Sequence, residues 1–320
     1  MPKKYDKDKS DILQNLHADP DEVADAGYGK SGTSILVNSG IRARPLPIDL
    51  ITPDRTQPRQ QIPRELRKKW DGKPSSLPPL LDQWAQIAGL SATLVAEIIR
   101  GSKSLHDIQG EDAELLSLLK VLDMASSIHD IGLKSPISVI ELTSNRYQIV
   151  FGERRWLAFQ ALAHWLQDEQ YKKIPAKIEN ISPWEARKIQ SAENNQRDEL
   201  SAIGKARQFA VLLMDAREQF ADASYESLSA FGDEWSYYAQ VANGNDHSIP
   251  YGMGAEFEAA MGISTGQMRQ YRTLLSMYNV PEIDRTLWNL ADDNDWSERL
   301  LRDIYTYLGA SQVQNILRTV

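Results

Sequence analysis

The chain has 320 residues, is 42% hydrophobic and 25% charged, and carries a formal net charge of −8. That length suffices for two or three domains with their own cores, and the acidic balance argues against a protein that coats nucleic acid through bulk charge. The absence of cysteine excludes disulfides and cysteine-ligated metals and fits a reducing, cytoplasmic compartment.

No apolar run of about 18 residues is present, so no membrane span is expected. The opening Met1-Pro2-Lys3-Lys4-Tyr5 and the residues after it lack the apolar centre of a secretory signal. Residues 1–40 are polar and aperiodic and read as a flexible arm. Gly27-Tyr28-Gly29-Lys30-Ser31 fails as a phosphate loop, because no apolar strand precedes it and Ala24 stands where the first glycine is required. Residues 46–51 form a short strand candidate, followed by a segment punctuated by Pro53 and Pro58. Residues 41–70 hold eight basic side chains against three acidic ones, so a local basic surface on an acidic whole is possible.

Residues 71–79 read as a loop, and 80–100 and 111–129 as helices. In the second, Leu115, Leu118, Leu119, Leu122 and Ala125 keep the 3.6 period, and Gly132 stops it. Residues 137–142 and 146–151 read as a hairpin around the turn Thr143-Ser144-Asn145. Residues 153–166 follow as a helix, then a strand at 174–178. Ser182-Pro183-Trp184-Glu185 is a helix start with a capping box and proline at the first helical position. That helix runs to about 195, and the next covers 199–218. Residues 221–253 read as a loop with one short helix near 235–241. From 255 onward the chain is helical, broken near Gly262, Pro281 and 292–295.

Chemistry concentrates in two polar stretches. In Gly152-Glu153-Arg154-Arg155 two arginines occupy the first turn of a helix, where the macrodipole is already positive; each misplaced charge costs roughly 0.3–1 kcal/mol. A bound phosphate would reverse that sign. The competing reading is a solvated cap whose arginines pair with Glu153 or with distant acids. In Glu193-Asn194-Asn195-Gln196-Arg197 a carboxylate and amides supply oxygen ligands of the kind magnesium takes when it bridges phosphates. The competing reading there is a helix end facing water. Gln57-Pro58-Arg59 is a rigid turn with one guanidinium.

Taken in order, these stretches resemble the ParB (partition protein B) family. The pattern is Pro53…Gln57-Pro58-Arg59, then Gly132-Leu133…Pro136-Ile137, then Gly152-Glu153-Arg154-Arg155-Trp156-Leu157-Ala158, then Glu193-Asn194-Asn195-Gln196-Arg197-Asp198, over about residues 46–215. The resemblance implies an α+β ParB/sulfiredoxin-like domain over 41–198 that binds CTP with magnesium and hydrolyses it slowly as a switch. It implies Gln57 and Arg59 near the base and ribose, Gly152, Glu153, Arg154 and Arg155 around the triphosphate, and Glu193 and Asn194 on magnesium. Asn195, Gln196 and Arg197 would complete the pocket, and Glu193 would be the residue most needed for hydrolysis. Two departures stand out. About 45 residues, 66–112, are inserted as an added helix, and Gly204-Lys205-Ala206 replaces the acidic pair the family prefers before alanine. The fold also hosts phosphotransferases, and sulfur-reducing enzymes that the lack of cysteine excludes.

Residues 199–320 read as an all-α domain with a helix-turn-helix at about 255–277. Phe257, Met261, Ile263, Met268 and Tyr271 are apolar where that motif needs them, and Gly262 falls at the turn. Thr265, Arg269, Gln270 and Arg272 are the candidate DNA contacts, since arginine and glutamine pair with base edges in a major groove. An ordinary helical hairpin is the competing reading, and Glu258 favours it by standing where a small residue normally sits. Residues 298–320 form a helix candidate expected to pack on this domain, leaving little room for a separate dimerisation domain. The family implies a specific duplex DNA site, a ParA-like ATPase partner, self-association, and a nucleoid- or plasmid-associated role in DNA partition. A regulator with a vestigial nucleotide domain and a magnesium-dependent nuclease or phosphotransferase remain as alternatives.

Overall fold

The computed structural model describes residues 43–307 apart from 59, 111, 144, 197–199 and 281–285. The arm expected over 1–40, Arg59, Arg197, the side chain of Gln196 and the end of the C-terminal helix lie outside the described residues. The chain divides into two compact units, one of residues up to 52 and 62–179, the other of 53–61 and the chain from 180.

The first unit is built on a five-stranded mixed sheet. Strands β3 (Ile137–Thr143) and β4 (Arg146–Phe151) form the expected antiparallel hairpin, with Asn145 at a φ of 63° in its turn, a conformation asparagine tolerates. β5 (Lys173–Glu179) lies parallel to β3, and β1 (Arg44–Pro47) antiparallel to β5. β2 (Ile51–Thr52) lies parallel to β4, giving the order β1-β5-β3-β4-β2. The single strand expected over 46–51 is interrupted by a 3₁₀ turn at Ile48–Leu50, so its two halves occupy opposite edges of the sheet. Four Cα steps reach at most about 15 Å, whereas four strand spacings of a flat sheet span about 19 Å. The sheet must therefore curl. The Ile48 carbonyl at this turn accepts from Trp156 Nε1 at 3.2 Å and Gln160 Nε2 at 3.4 Å, which ties the crossing to the core.

Among the described residues five helices belong to the sheet unit: α1 (Arg64–Lys69), α2 (Leu77–Ile87), α3 (Ala92–Ile99), α4 (Ala113–Ile131) and α5 (Glu153–Leu166). The helix expected over 80–100 is two helices. Gly89 at a φ of +72° ends the first, and Ser91 caps the second by accepting from Leu94 N at 3.2 Å. The insertion at 66–112 is thus not one added helix but a helical layer whose Leu81, Trp84, Val95 and Ile99 are fully buried in the same core as Leu118, Trp156 and Leu162. Trp84 donates its indole proton to the Glu114 carbonyl at 2.9 Å, satisfying its polar edge.

The second unit is helical among its described residues: α6 (Pro183–Gln196), α7 (Ala202–Phe220), α8 (Glu234–Ala239), α9 (Gly254–Met261), α10 (Thr265–Met277), α11 (Thr286–Asp293) and α12 (Glu298–Tyr307). α6 begins on the expected capping box, with Ser182 N donating to Glu185 Oε2 at 2.9 Å and Glu185 N to Ser182 Oγ at 3.2 Å. α7 is the central helix, buried along nearly its whole length. α12 lays Leu301 and Ile304 into this core and packs on α10. The division falls at 179/180, not at the 198/199 boundary expected from the sequence. α6 packs on α7 and α9, its Trp184 ring 5.5 Å from Phe257 and 6.1 Å from Phe220.

Candidate functional site

In the first unit, β4 runs into α5 through Gly152 at a φ of +98°. A Cβ at this residue would stand 2.8 Å from Ile137 Cγ2 and 3.2 Å from the Arg155 guanidinium carbon, so space as well as backbone conformation demands glycine. Trp156 N closes the first helical bond on the Gly152 carbonyl at 3.0 Å, and Trp156, Leu157 and Ala158 anchor the helix in the core. Gly152, Glu153, Arg154 and Arg155 are half-buried on this turn. Arg155 bends back, donating from Nη1 to the Ser135 and Pro136 carbonyls at 2.8 and 2.7 Å. Its unfavourable position on the helix dipole is therefore answered in part by backbone oxygens. The Gly132…Ile137 and Gly152…Ala158 boxes, separated in sequence, are thereby joined in one corner. A tight glycine turn carrying a half-buried guanidinium pair at a helix N-terminus suits a polyphosphate.

The remaining candidates belong to the second unit. Gln57 closes a turn, its N–H donating to the Asp54 carbonyl at 3.1 Å, while the Asp54 carboxylate accepts from Thr56 N at 3.0 Å and Thr56 Oγ1 at 2.7 Å. Arg187 of α6 fastens this turn: it reaches Asp54 at 2.6 Å, Asp215 at 2.7 Å, Gln190 Oε1 at 3.0 Å and Thr56 Oγ1 at 3.1 Å. Burial opposes the Arg187 charge, yet Asp54 and Asp215 outweigh it and hold the proton more tightly than water does. The same helix carries Glu193, half-buried, and Asn194, buried, near its C-terminal end. Glu193 supplies one carboxylate, and magnesium takes one or two when substrate phosphates supply other ligands.

Asn195, expected to complete the pocket, is held from within the second unit. Its Nδ2 donates to the Ala260 carbonyl at 2.6 Å, and its Oδ1 accepts from Gln208 Nε2 at 3.2 Å. The amide is engaged at both ends, and it locks α6 to α7 and to the end of α9.

Gly262, at a φ of +65°, joins α9 to α10, and its N–H closes on the Glu258 carbonyl at 2.9 Å. Ser264 and Gln267 form a capping box at the start of α10. Glu258 is not an obstacle to the pair: its carboxylate accepts from Thr265 N at 2.8 Å, an acid placed at a helix N-terminus. Of the four candidate DNA contacts only Arg269 is exposed; Thr265, Gln270 and Arg272 are half-buried. The expected exposure of Arg272 fails on spacing. It lies four residues from buried Met268, on the same face, and its guanidinium stacks 5.0 Å from the Phe209 ring.

Asp54, Thr56, Arg187 and Asp215 were not singled out from the sequence. The Asp-x-Thr spacing after Pro53 is an Asx-turn signal. On α6, Trp184, Arg187, Ser191 and Asn194 share one buried stripe, so Arg187 stands where an apolar residue is expected.

Residues 103–195 match the family model of the ParB N-terminal domain. The match begins at the end of the inserted layer and leaves out the Gln57-Pro58-Arg59 turn. The nucleoid occlusion protein of Bacillus pumilus (strain SAFR-032) is 39% identical over 111 residues, 34% of each chain. That of Bacillus subtilis (strain 168) is 38% identical over 111 residues, 34% of this chain and 35% of the relative. The chain thus spans about a third of the length of the curated relatives it matches. Among solved structures, the C-terminally truncated chromosome-partitioning protein ParB from Caulobacter crescentus complexed with CTP-gamma-S covers 87% of this chain and 97% of its own at 16% identity, with a TM-score of 0.26. The same protein complexed to the centromeric parS site covers 87% and 100% at 16% identity, with a TM-score of 0.29.

Proposed function

We propose that this chain, whose residues 103–195 carry a ParB N-terminal domain, is a nucleotide-dependent, site-specific DNA-binding protein. The observation that carries the reading is the β4–Gly152–α5 turn, where glycine is obligatory and two arginines crowd the positive end of a helix. Arg154 is assigned the polyphosphate, with Gly152 and Glu153 shaping the turn and Arg155 bracing it. Glu193 and Asn194 are assigned magnesium, Gln57 and Arg59 the nucleoside side, and Glu193 the slow hydrolysis of CTP. Gln196 and Arg197 keep the supporting role that the family motif gives them. DNA is read by α10 in a helix-turn-helix, through Arg269 and Gln270 and from the helix start at Thr265.

The names of the Bacillus relatives bring nucleoid occlusion beside DNA partition as the biological setting. Self-association on DNA and a ParA-like ATPase partner are part of the same proposal. Calorimetric titration with CTP and magnesium, set against ATP, GTP and UTP, tests it. CTP-selective binding that disappears in Arg154→Ala supports the reading, and Glu193→Gln should keep binding but lose turnover. No heat with any nucleotide defeats it. The internal engagement of Arg155 and Asn195 favours a second reading, a DNA-binding regulator without nucleotide control. Footprints that ignore CTP and vanish in Arg269→Ala would establish that one.

A further inference from the structure

The loop between α8 and α9 has no part in the reading above, yet it closes over the inner side of α10. Gly244 of this loop sits so near Arg272 that a Cβ there would come within 2.8 Å of Nη1. The Arg272 guanidinium lies between this loop and the Phe209 ring, and its Nε is buried without a partner. Arg217, near the end of α7, donates from Nε to the Tyr225 hydroxyl at 2.9 Å and from Nη1 to the Ser248 carbonyl at 3.0 Å. The same hydroxyl meets His247 Nδ1 at 3.1 Å. Arg217 and His247 thus meet at the Tyr225 hydroxyl, and His247 stands three residues after Gly244 on the loop that lies against Arg272.

These groups oppose one another. Burial, Arg217, Arg269 and Arg272 act against positive charge here: His247 is held below the usual imidazole range by burial, Arg217 and Arg272, and Arg272 is lowered by burial, Arg217 and Arg269. Asp246 is the acid that His247 feels, and its carboxylate is hydrogen-bonded to Asn243. Among the described residues no carboxylate lies within ion-pair distance of Arg217, Arg269 or Arg272, whereas the two buried arginines of this unit, Arg187 and Arg207, each hold two. Cations concentrated this way, with Asp246 acting on His247 alone among them, cost stability unless an anion completes them.

We propose that Arg217, His247 and Arg272 form a phosphate site that takes a backbone phosphate of the duplex lying along α10. The inference rests on the reading of α10 as the DNA-facing helix. The duplex is favoured over a free anion because exposed Arg269, one turn earlier on α10, contributes to the same field. A phosphate held here sets the position of the duplex and carries no sequence information. It also draws a proton onto His247, so binding strengthens as pH falls through the imidazole range.

The test uses the full chain and a random-sequence duplex, with fluorescence anisotropy followed across a salt series. Arg272→Gln and Arg217→Gln should each weaken binding to all sequences alike and reduce the slope of log affinity against log salt by about 1. Arg272→Lys should restore the slope, which a merely misfolded variant would not allow. Wild type should bind more tightly at about pH 6 than at about pH 8, and His247→Ala should lose that gain. An unchanged slope in Arg272→Gln, or a loss confined to one sequence, overturns the proposal. Inorganic phosphate that raises the melting temperature of wild type but not of Arg272→Gln, with the DNA slope unchanged, assigns the site to a small anion instead and also overturns it. If wild type binds no duplex at all, the α10 reading itself fails.

Discussion

The two units of this chain solve the problem of a core differently. The first packs Trp84, Trp156, Leu118 and Ile149 into an apolar interior and hands the two indole N–H groups to backbone carbonyls. The second buries whole cations. Arg207 sits in the second turn of α7 with Glu234 at 3.0 Å and Asp292 at 2.7 Å, stacked 4.9 Å from the Trp235 ring. Arg187 repeats the scheme with Asp54 and Asp215. Apolar contacts are non-directional, so the first core tolerates changes of shape that keep volume. Buried ion networks accept few arrangements, and each partner becomes a liability when the other is removed.

That contrast can be broken at defined points. Arg207→Ala should cost about 3–5 kcal/mol, because half-buried Glu234 and Asp292 would lose the Arg207 guanidinium; replacing all three residues by apolar ones of similar volume should cost far less. Denaturant titration of both variants decides it, and equal losses would mean the network matters only as filled space. Trp84→Ala should cost about 3–5 kcal/mol through the cavity it leaves, measured in the same way. A change near zero would show that the inserted layer is an appendage and not part of the core. Gly152→Ala should cost about 1–3 kcal/mol, from its positive φ and the close approach to Ile137. Little loss there would mean that the corner relaxes freely and is poorly organised for a ligand. The smallest effect concerns pH. His247 binds its proton less tightly when folded than the ordinary value of 6.5, so the unfolded chain takes up more protons as pH falls. Stability should therefore decline on acidification through and below about pH 6.5, and His247→Ala should flatten that decline in a series of thermal melts.

Much of the local structure was legible from sequence. Two apolar runs about Thr143-Ser144-Asn145 marked the hairpin, and Gly152 before a run of core residues marked the strand-to-helix turn. Ser182-Pro183-Trp184-Glu185 announced α6, and the apolar spacing around Gly262 announced α9 and α10. The split between α2 and α3 was also written locally, in Gly89 and Ser91, but an unbroken apolar stripe on both sides masked it. Arg272 was misread as exposed although its distance from Met268 already placed it inward.

Other features had no local signature. Asp54 finds Arg187 across 133 residues, and Arg207 finds Asp292 across 85. Asn195 reads as a polar residue at a helix end until the Ala260 carbonyl is found 2.6 Å away.

What the sequence determined by itself is where elements begin, end and turn, because caps, periodicity and backbone preferences act within about one helical turn. What only the tertiary structure decided is the partner of each buried charge and amide, and so which polar residues remain for a ligand. Those pairings join segments far apart in the chain, and a side chain's chemistry does not say which of many distant partners folding will bring to it.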